Sequence, residues 1–273
     1  MTAPNPHNPQ MAGGERPYWL ILLVGLILWL FYEVWANQIY ADVMGTLVQG
    51  IAVTAFVAVI AYSSACAMGL GLAVAGLSRW VILRQSARFY IEVVRGIPIM
   101  VLLLYIAFAA APALVVAVNW VGSWFGLDPW KTRDFPLIAR AIIALTIAYS
   151  AFLAEIFRAG LLSVDKGQIE AAQALGLNGW QRFRHIIFPQ AFRTILPPLG
   201  NDFVAMVKDS SLVSVLGVSD ITQLGKVLAA GNFRYFETYN VVALLYLTIT
   251  ISLSLALRRL EERLRARSGQ GQG

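Results

Sequence analysis

The sequence predicts an all-α integral membrane protein with about six transmembrane helices. Of its 273 residues, 58% are hydrophobic and only 13% are charged, and the mean hydropathy is +0.66. A soluble globular domain has a more polar composition, so a membrane is the expected solvent. Six apolar stretches lie close to the roughly 20 residues that a helix needs to cross a hydrocarbon core of about 30 Å. They are 18–36, 46–77, 97–118, 137–154, 198–218 and 239–257.

The first stretch, 18–36, has two interpretations. It follows a polar tail, 1–17, which is rich in Pro and Asn and is predicted to be disordered. A cleaved signal peptide is one alternative, but the tail carries a single Arg and no small-x-small cleavage pattern follows Ala36. We therefore expect an N-terminal transmembrane helix that is retained.

The fifth stretch, 198–218, is the least apolar, and its polar residues mark a candidate translocation path or gate. Burying an ionisable group in a crossing costs about 2.5 to 3.5 kcal/mol on insertion scales, so these side chains are expected to avoid lipid. They are Asn201, Asp202, Lys208, Asp209, Ser210 and Ser211.

Two interpretations of this polar group remain open. Asn201 and Lys208 are seven residues apart and share one helical stripe, and Asp202 and Asp209 share the neighbouring stripe. The four side chains can line the path or its cytoplasmic gate. Alternatively, Lys208 and Asp209 only pair within the bundle or at its cytoplasmic end.

The positions of Lys and Arg predict the orientation in the membrane, because cytoplasmic loops carry an excess of these residues. With the N-terminus inside, the cytoplasmic segments hold 15 of them and the outer loops hold four. Both termini are therefore expected in the cytoplasm, the second as a basic tail over 258–273. Nucleic-acid binding is not expected, since the basic residues flank apolar runs and do not line one soluble face.

The longest polar interval, 155–197, falls on the cytoplasmic side and is expected to fold. A helix is predicted over 165–175, ending at Gly176, where glycine permits a left-handed cap. Asn178 can cap a second helix, which is predicted to end near Pro189.

Spacing alone leaves two uses for this pair of short helices. The small side chains of Ala171 and Ala172, beside the carboxylate of Glu170, suit a surface that docks into a partner protein. An amphipathic hairpin that lies on lipid headgroups is the other use.

The residues of this interval resemble a known signature. The spacing of Glu170-Ala171-Ala172, Gly176, Ile186 and Phe188-Pro189 matches the signature loop of ABC importer membrane subunits, with Phe188 at a position that is normally Leu. The flanks are similar to the polar amino acid permease family. They include Ala154-Glu155-Ile156-Phe157-Arg158-Ala159-Gly160, Pro189-Gln190-Ala191, Glu92-Val93-Val94-Arg95-Gly96-Ile97-Pro98 and Lys208-Asp209-Ser210-Ser211-Leu212.

The resemblance covers about 45–257 and implies a permease of the type I ABC importer fold. Its five-helix core would here carry one extra N-terminal helix and a coupling loop over 155–197. The resemblance also implies alternating access for a polar amino acid, a second permease subunit, a pair of ATP-binding subunits and an extracytoplasmic solute-binding protein, all at a bacterial inner membrane. The residues it assigns to ATPase coupling are Glu170, Ala171, Ala172, Gly176, Ile186 and Pro189.

No catalytic group competes with this interpretation. The sequence has no phosphate-binding loop and no His-Glu-x-x-His pair, so ATP must be hydrolysed by another chain. We expect no catalytic residue, metal or cofactor, and hence no enzyme activity in this chain alone. A secondary transporter or channel for small polar solutes is the rival, but it would be expected to show an inverted internal repeat. A membrane scaffold would not need ionisable groups inside a crossing.

Overall fold

The computed structural model describes residues 18–269, and the predicted tail over 1–17 lies outside the described residues. Every regular element in the described range is helical, which confirms the predicted all-α class. The predicted tail over 258–273 is the helical end of the last element as far as Gly269. The α-helices are α1 (Tyr18–Ala36), α2 (Gln38–Leu47), α3 (Gly50–Gly76), α4 (Val81–Gly96), α5 (Ile99–Tyr105), α6 (Ala111–Ser123), α7 (Leu137–Leu162), α8 (Lys166–Ala174), α9 (Gly179–Arg182), α10 (Phe188–Asp209), α11 (Ile221–Asn232) and α12 (Tyr235–Gly269).

Within residues 18–269, four helical segments are long and apolar enough to cross a membrane, and a fifth span forms if one bent pair is counted as a unit. The bent pair is Gly179–Leu216 with Ile221–Asn232, at an angle of 47°. Within α1, Ile21–Ala36 is apolar but shorter. Six crossings therefore remain a prediction, with α1 as the sixth. The four long segments are Gln38–Gly76, Ile99–Ser123, Leu137–Leu162 and Tyr235–Arg263.

The core forms where α3 and α7 pack together through small side chains. A Cβ on Gly69 of α3 would lie 3.0 Å from the carbonyl oxygen of Ser150 on α7, so the two backbones approach closely. Lipid gives apolar surfaces little reason to associate, and close packing of small residues supplies the attraction instead. The buried alanines at this contact are Ala58, Ala61, Ala65 and Ala73 on α3, and Ala141, Ala144, Ala148 and Ala151 on α7.

Two helical segments widen by one residue just before a proline. The π-helical turns Ile106–Ala110 and Phe183–Ile187 each end two residues before a proline, Pro112 and Pro189. The residue between turn and proline donates its N–H to the carbonyl five positions earlier. Proline lacks an N–H and its ring crowds the carbonyl four positions earlier, and a wider turn accommodates both constraints. The predicted helix end near Pro189 is therefore wrong, since the helix continues into α10.

Arg140 on α7 holds the first of these wide turns. Its guanidinium is buried and donates to the carbonyl oxygens of Ala107 and Phe135, both at 3.0 Å, and to that of Thr132. Ala107 lies five residues before Pro112, and because Pro112 has no N–H, it cannot donate a hydrogen bond to the Ala107 carbonyl oxygen. Three carbonyl acceptors thus compensate a buried cation and join α7 to the preceding crossing.

The stretch before Ile97 folds as a separate helix, α4, for which the sequence predicts no element. Its Ala87, Ile91 and Val94 are buried against the bundle. Apolar runs do not reveal α4, because arginines interrupt its apolar residues. The apolar residues nevertheless recur at the spacing of an amphipathic helix.

The fifth predicted crossing, 198–218, is not one straight helix. α10 already begins at Phe188, and a 3₁₀ segment, Ser210–Leu216, follows it. Gly217 ends that segment with a left-handed backbone at φ +80°, and α11 then leaves at a new angle. Residues 201–209 are nevertheless helical, so the predicted stripes of polar side chains exist on α10.

Candidate functional site

Residues 165–187 form a helical hairpin between α7 and α10. The Asp165 side chain caps α8 by accepting the Gln168 N–H at 3.2 Å. Gly176 turns the chain with φ +78°, in the left-handed region that favours glycine. Asn178 and Gln181 then cap α9 reciprocally, each side chain accepting the other's N–H at 2.9 Å. The predicted helix, glycine turn and Asn cap are all present.

The hairpin is packed against the start of α10. Ile169 and Ile186 contact a small core that is centred on the buried side chains of Val164, Ala191 and Ile195. The Gln190 amide donates to the Gln168 side-chain oxygen at 2.6 Å and so joins α10 to α8. The hairpin is therefore joined to α10 by both apolar and polar contacts.

The signature residues of the hairpin divide into two groups. Glu170, Ala171 and Gly176 are exposed, whereas Ala172 is only 3% exposed. Ile186 and Pro189 are half-buried, and Ile186 packs against the small core. Of the two alanines, Ala172 packs within the chain and only Ala171 is exposed for contact with a partner. The assignment of these residues to ATPase coupling stays a prediction.

Two large apolar side chains on the hairpin surface were not predicted as site residues. Leu175 is 82% exposed directly before Gly176, and Trp180 is 66% exposed at the start of the second arm. An apolar residue at the last turn before a glycine cap was the available signal for Leu175. Trp180 stacks on Phe183 at 5.8 Å between ring centroids, and Phe188 and Phe192 continue the row along α10.

The candidate path residues occupy two faces of α10. Asn201 and Lys208 are exposed on one stripe, and Asp202 and Asp209 are half-buried on the next. Asp209 accepts a hydrogen bond from the Tyr149 hydroxyl at 2.8 Å, which links the stripe to α7. Among the described residues, Lys208 has no carboxylate within ion-pair distance, so the Lys208–Asp209 pair is not formed.

The two serines that follow are less available than the charged residues. Ser210 is fully buried, and its hydroxyl donates to the Val207 carbonyl oxygen at 2.7 Å inside the 3₁₀ turn. Ser211 is half-buried. Ser210 thus stabilises the bend and does not line an open surface.

A buried polar junction lies beyond the bend, and it was not predicted. Asp220 is fully buried and caps α11 by accepting the Gln223 N–H at 2.8 Å, while the Tyr246 hydroxyl donates to it at 3.1 Å. A Cβ on Gly50 would lie 2.6 Å from the Ile221 backbone nitrogen. α3, α11 and α12 therefore meet at one point with no room for a side chain.

Comparison with known proteins places this geometry in a family. Residues 67–266 match the model of the family described as binding-protein-dependent transport system inner membrane component. The chain is 39% identical over 201 residues to the probable amino-acid permease protein YxeN of Bacillus subtilis (strain 168), covering 74% of this chain and 83% of that protein. It is also 39% identical over 207 residues to the glutamine transport system permease protein GlnP of Escherichia coli (strain K12), covering 74% and 85%.

Solved structures of ABC transporters also resemble this chain. A crystal structure of an amino acid ABC transporter with histidines has 34% sequence identity and a TM-score of 0.69, covering 82% of this chain and 96% of that one. An inward-facing MetNI methionine ABC transporter, at 21% identity and a TM-score of 0.61, shares the fold. The predicted resemblance is confirmed. The chain therefore belongs to the binding-protein-dependent transport system inner membrane components, and it is a multi-pass permease subunit of an ABC importer, a transport component and not an enzyme.

Proposed function

We propose that this chain carries polar amino acids across the inner membrane as one half of a permease pair, with the hairpin 165–187 docked on an ATP-binding subunit. The family works with ATP-binding subunits and a solute-binding protein. Two relatives that resemble this chain over most of their length are named as an amino-acid permease and a glutamine permease. The proposal extends that substrate class and that assembly to this chain.

One observation carries the mechanism: the second arm of the hairpin is continuous with α10. The helical segment runs without interruption from Gly179 to Leu216, and the polar stripes of α10 lie along it. A force on the hairpin is therefore transmitted to Asn201 and Lys208 through one helix with no flexible loop between them. Closure of an ATP-binding pair would swing α10 and change which side of the membrane the path faces.

The exposure of the α10 stripe supports a path between two permease chains. Asn201 and Lys208 are exposed in the single chain, and Lys208 has no ion-pair partner among the described residues. Contact with lipid would be costly for such groups. A second permease subunit, or water in a path between the two, provides the polar surroundings they need.

Assembly and specificity together test the proposal. The tagged chain should retain an ATP-binding subunit during purification in mild detergent. Uptake of radiolabelled glutamine by cells that express the full system should be reduced by an excess of unlabelled polar amino acids and unaffected by sugars. Purification without an ATPase, or competition by sugars alone, would overturn it.

The proposed orientation predicts a labelling pattern. A cysteine at Gly126, in the loop after α6, should react with an impermeant thiol reagent in intact cells, and a cysteine at Gly179 should not. Cys66 is the only native cysteine, so a Cys66→Ser background removes the competing thiol. Labelling at Gly179 but not at Gly126 would reverse the orientation and remove the docking surface from the cytoplasm.

Lys208 is predicted to act in transport. Lys208→Met keeps the length of the side chain and removes the charge, so we expect uptake to fall by tenfold or more, about 1.4 kcal/mol, while the complex still assembles. Lys226→Met, on the exposed face of α11, is the matched control. Normal uptake by the Lys208 variant would exclude it from the path and gate.

Gly176→Val should reduce the ATP hydrolysis that the binding protein stimulates, although Gly176 is exposed. A β-branched residue at φ +78° is strained by roughly 1 to 2 kcal/mol, and relief of that strain redirects α9. Gly179→Val, where the backbone is helical, is the control. ATP hydrolysis stimulated by the binding protein should drop for the first variant and persist for the second, and equal rates would contradict the prediction.

A further inference from the structure

A cavity of about 350 Å³ opens between the ends of α3, α4 and α7, and charged side chains surround it. The described residues that line this cavity belong to α3, α4 and α7, and none belongs to α10 or to the hairpin. Gly76, the last residue of α3, lines it, and a Cβ there would meet nothing within 4 Å. The charged lining residues are Arg88, Glu92 and Arg95 from α4, and Glu155 and Arg158 from α7.

The charges from α7 satisfy each other, whereas those from α4 do not. Arg158 donates to Glu155 through Nη2 at 2.5 Å and through Nε at 3.1 Å. Among the described residues, Arg88, Glu92 and Arg95 have no opposite charge within 4.0 Å. Their spacing places them on one stripe of α4, with the carboxylate between the two guanidinium groups. Arg95 lies over the Phe152 ring of α7, with its guanidinium carbon 5.5 Å from the ring centroid, but it has no ion-pair partner among the described residues. The cavity therefore presents a cation, an anion and a second cation to a ligand.

The surroundings of the cavity indicate that its mouth lies at the membrane surface. α4 exposes large apolar side chains, with Ile82 at 81% and Phe89 at 72% exposure, on a short helix that also carries arginines. Apolar and cationic faces on one helix are typical of a helix in the plane of the headgroups. Arginine pockets between helices at this depth suit phosphate-bearing lipid heads.

We infer that this cavity binds the headgroup of phosphatidylethanolamine. The lipid phosphate accepts hydrogen bonds from Arg88 and Arg95, and the primary ammonium donates to Glu92. A purely anionic headgroup would pair with Arg88 and Arg95 but would offer no cation to the Glu92 carboxylate. A choline headgroup has no N–H to donate. The absent side chain of Gly76 leaves the volume that the headgroup fills.

Native mass spectrometry of the assembled transporter tests the inference. The complex is purified from nanodiscs that contain equal amounts of phosphatidylethanolamine, phosphatidylcholine and phosphatidylglycerol, and the retained lipids are counted. We expect a preference for phosphatidylethanolamine of about fivefold, equivalent to one partly exposed ion pair of about 1 kcal/mol. Glu92→Gln should abolish the preference over phosphatidylcholine, and Arg88→Gln should lower retention of every phospholipid at this site.

A size test is independent of charge. Gly76→Phe should fill the cavity and abolish retention, whereas Gly71→Phe, on the same helix at a position that is equally open, should leave it unchanged. Equal retention of the three lipids by the wild type, or retention unaffected by Gly76→Phe, would overturn the inference. A preference for phosphatidylglycerol would identify a simple anion site instead. Displacement of the lipid by millimolar glycine or glutamine would assign the cavity to a soluble zwitterion.

Discussion

Ala171→Trp is expected to abolish ATP hydrolysis that depends on the binding protein while the chain still folds and inserts. Ala171 is exposed on α8, so a large side chain there meets no neighbour within the chain. A docked partner would be forced away, and overpacking of a close interface costs about 1 to 3 kcal/mol or more. That cost weakens association by about 5- to 150-fold.

The controls for this variant separate docking from local damage. Ala171→Ser keeps a small side chain and should retain coupling. Ala230→Trp introduces the same bulk at an exposed site on α11 and should also retain it. Ala172→Trp is a poor test, because Ala172 is buried in the chain and its replacement would open the hairpin. If the hairpin only lay on lipid, Ala171→Trp would strengthen membrane contact and leave ATP hydrolysis intact.

Gly50→Leu is expected to prevent accumulation of the folded chain in the membrane. Its Cβ would lie 2.6 Å from the Ile221 nitrogen and 2.7 Å from the Asp220 carbonyl carbon. Both are backbone atoms of a capped helix start, so they cannot move aside as a flexible side chain could. The Thr54 hydroxyl, which accepts from the Ile221 N–H at 3.4 Å, would be displaced with them.

Membrane levels in cells report this effect directly. Gly71→Leu, at an open position on the same helix, should accumulate as the wild type does. Gly50→Ala should fall between the two, because it adds one methyl group at the same contact. A Gly50→Leu chain at wild-type level with normal thermal stability would show that the junction of α3, α11 and α12 has room for a side chain.

Local chemistry explains why the hairpin was predictable. Gly176 and Asn178 fix the turn and the cap through their own backbone and side-chain properties, and both act where the sequence places them. The rotation of α8 against Val164 and Ala191 decides whether Ala171 or Ala172 is exposed. The spacing of residues in the sequence does not reveal this rotation.

Prolines and bends were the weak points of the sequence prediction. Pro189 reads as a helix end, yet a π-turn carries the helix through it, because neighbouring helices in a bundle can compensate a distorted turn. The break after Asp209 depends on a buried Ser210 and on Gly217, both inside an apolar run. The buried position of Asp220 was not predicted. A single carboxylate near the end of a crossing does not indicate that it accepts a hydrogen bond from Tyr246, 26 residues later.

Reconstitution into sealed liposomes tests whether this chain belongs to an ATP-driven importer. The chain is incorporated with its permease partner and ATP-binding subunits, ATP is enclosed on the hairpin side, and the binding protein loaded with labelled glutamine is added outside. We expect uptake that requires both ATP and the binding protein and that Ala171→Trp abolishes. Uptake driven by a proton or sodium gradient without ATP would contradict it and would indicate a secondary transporter.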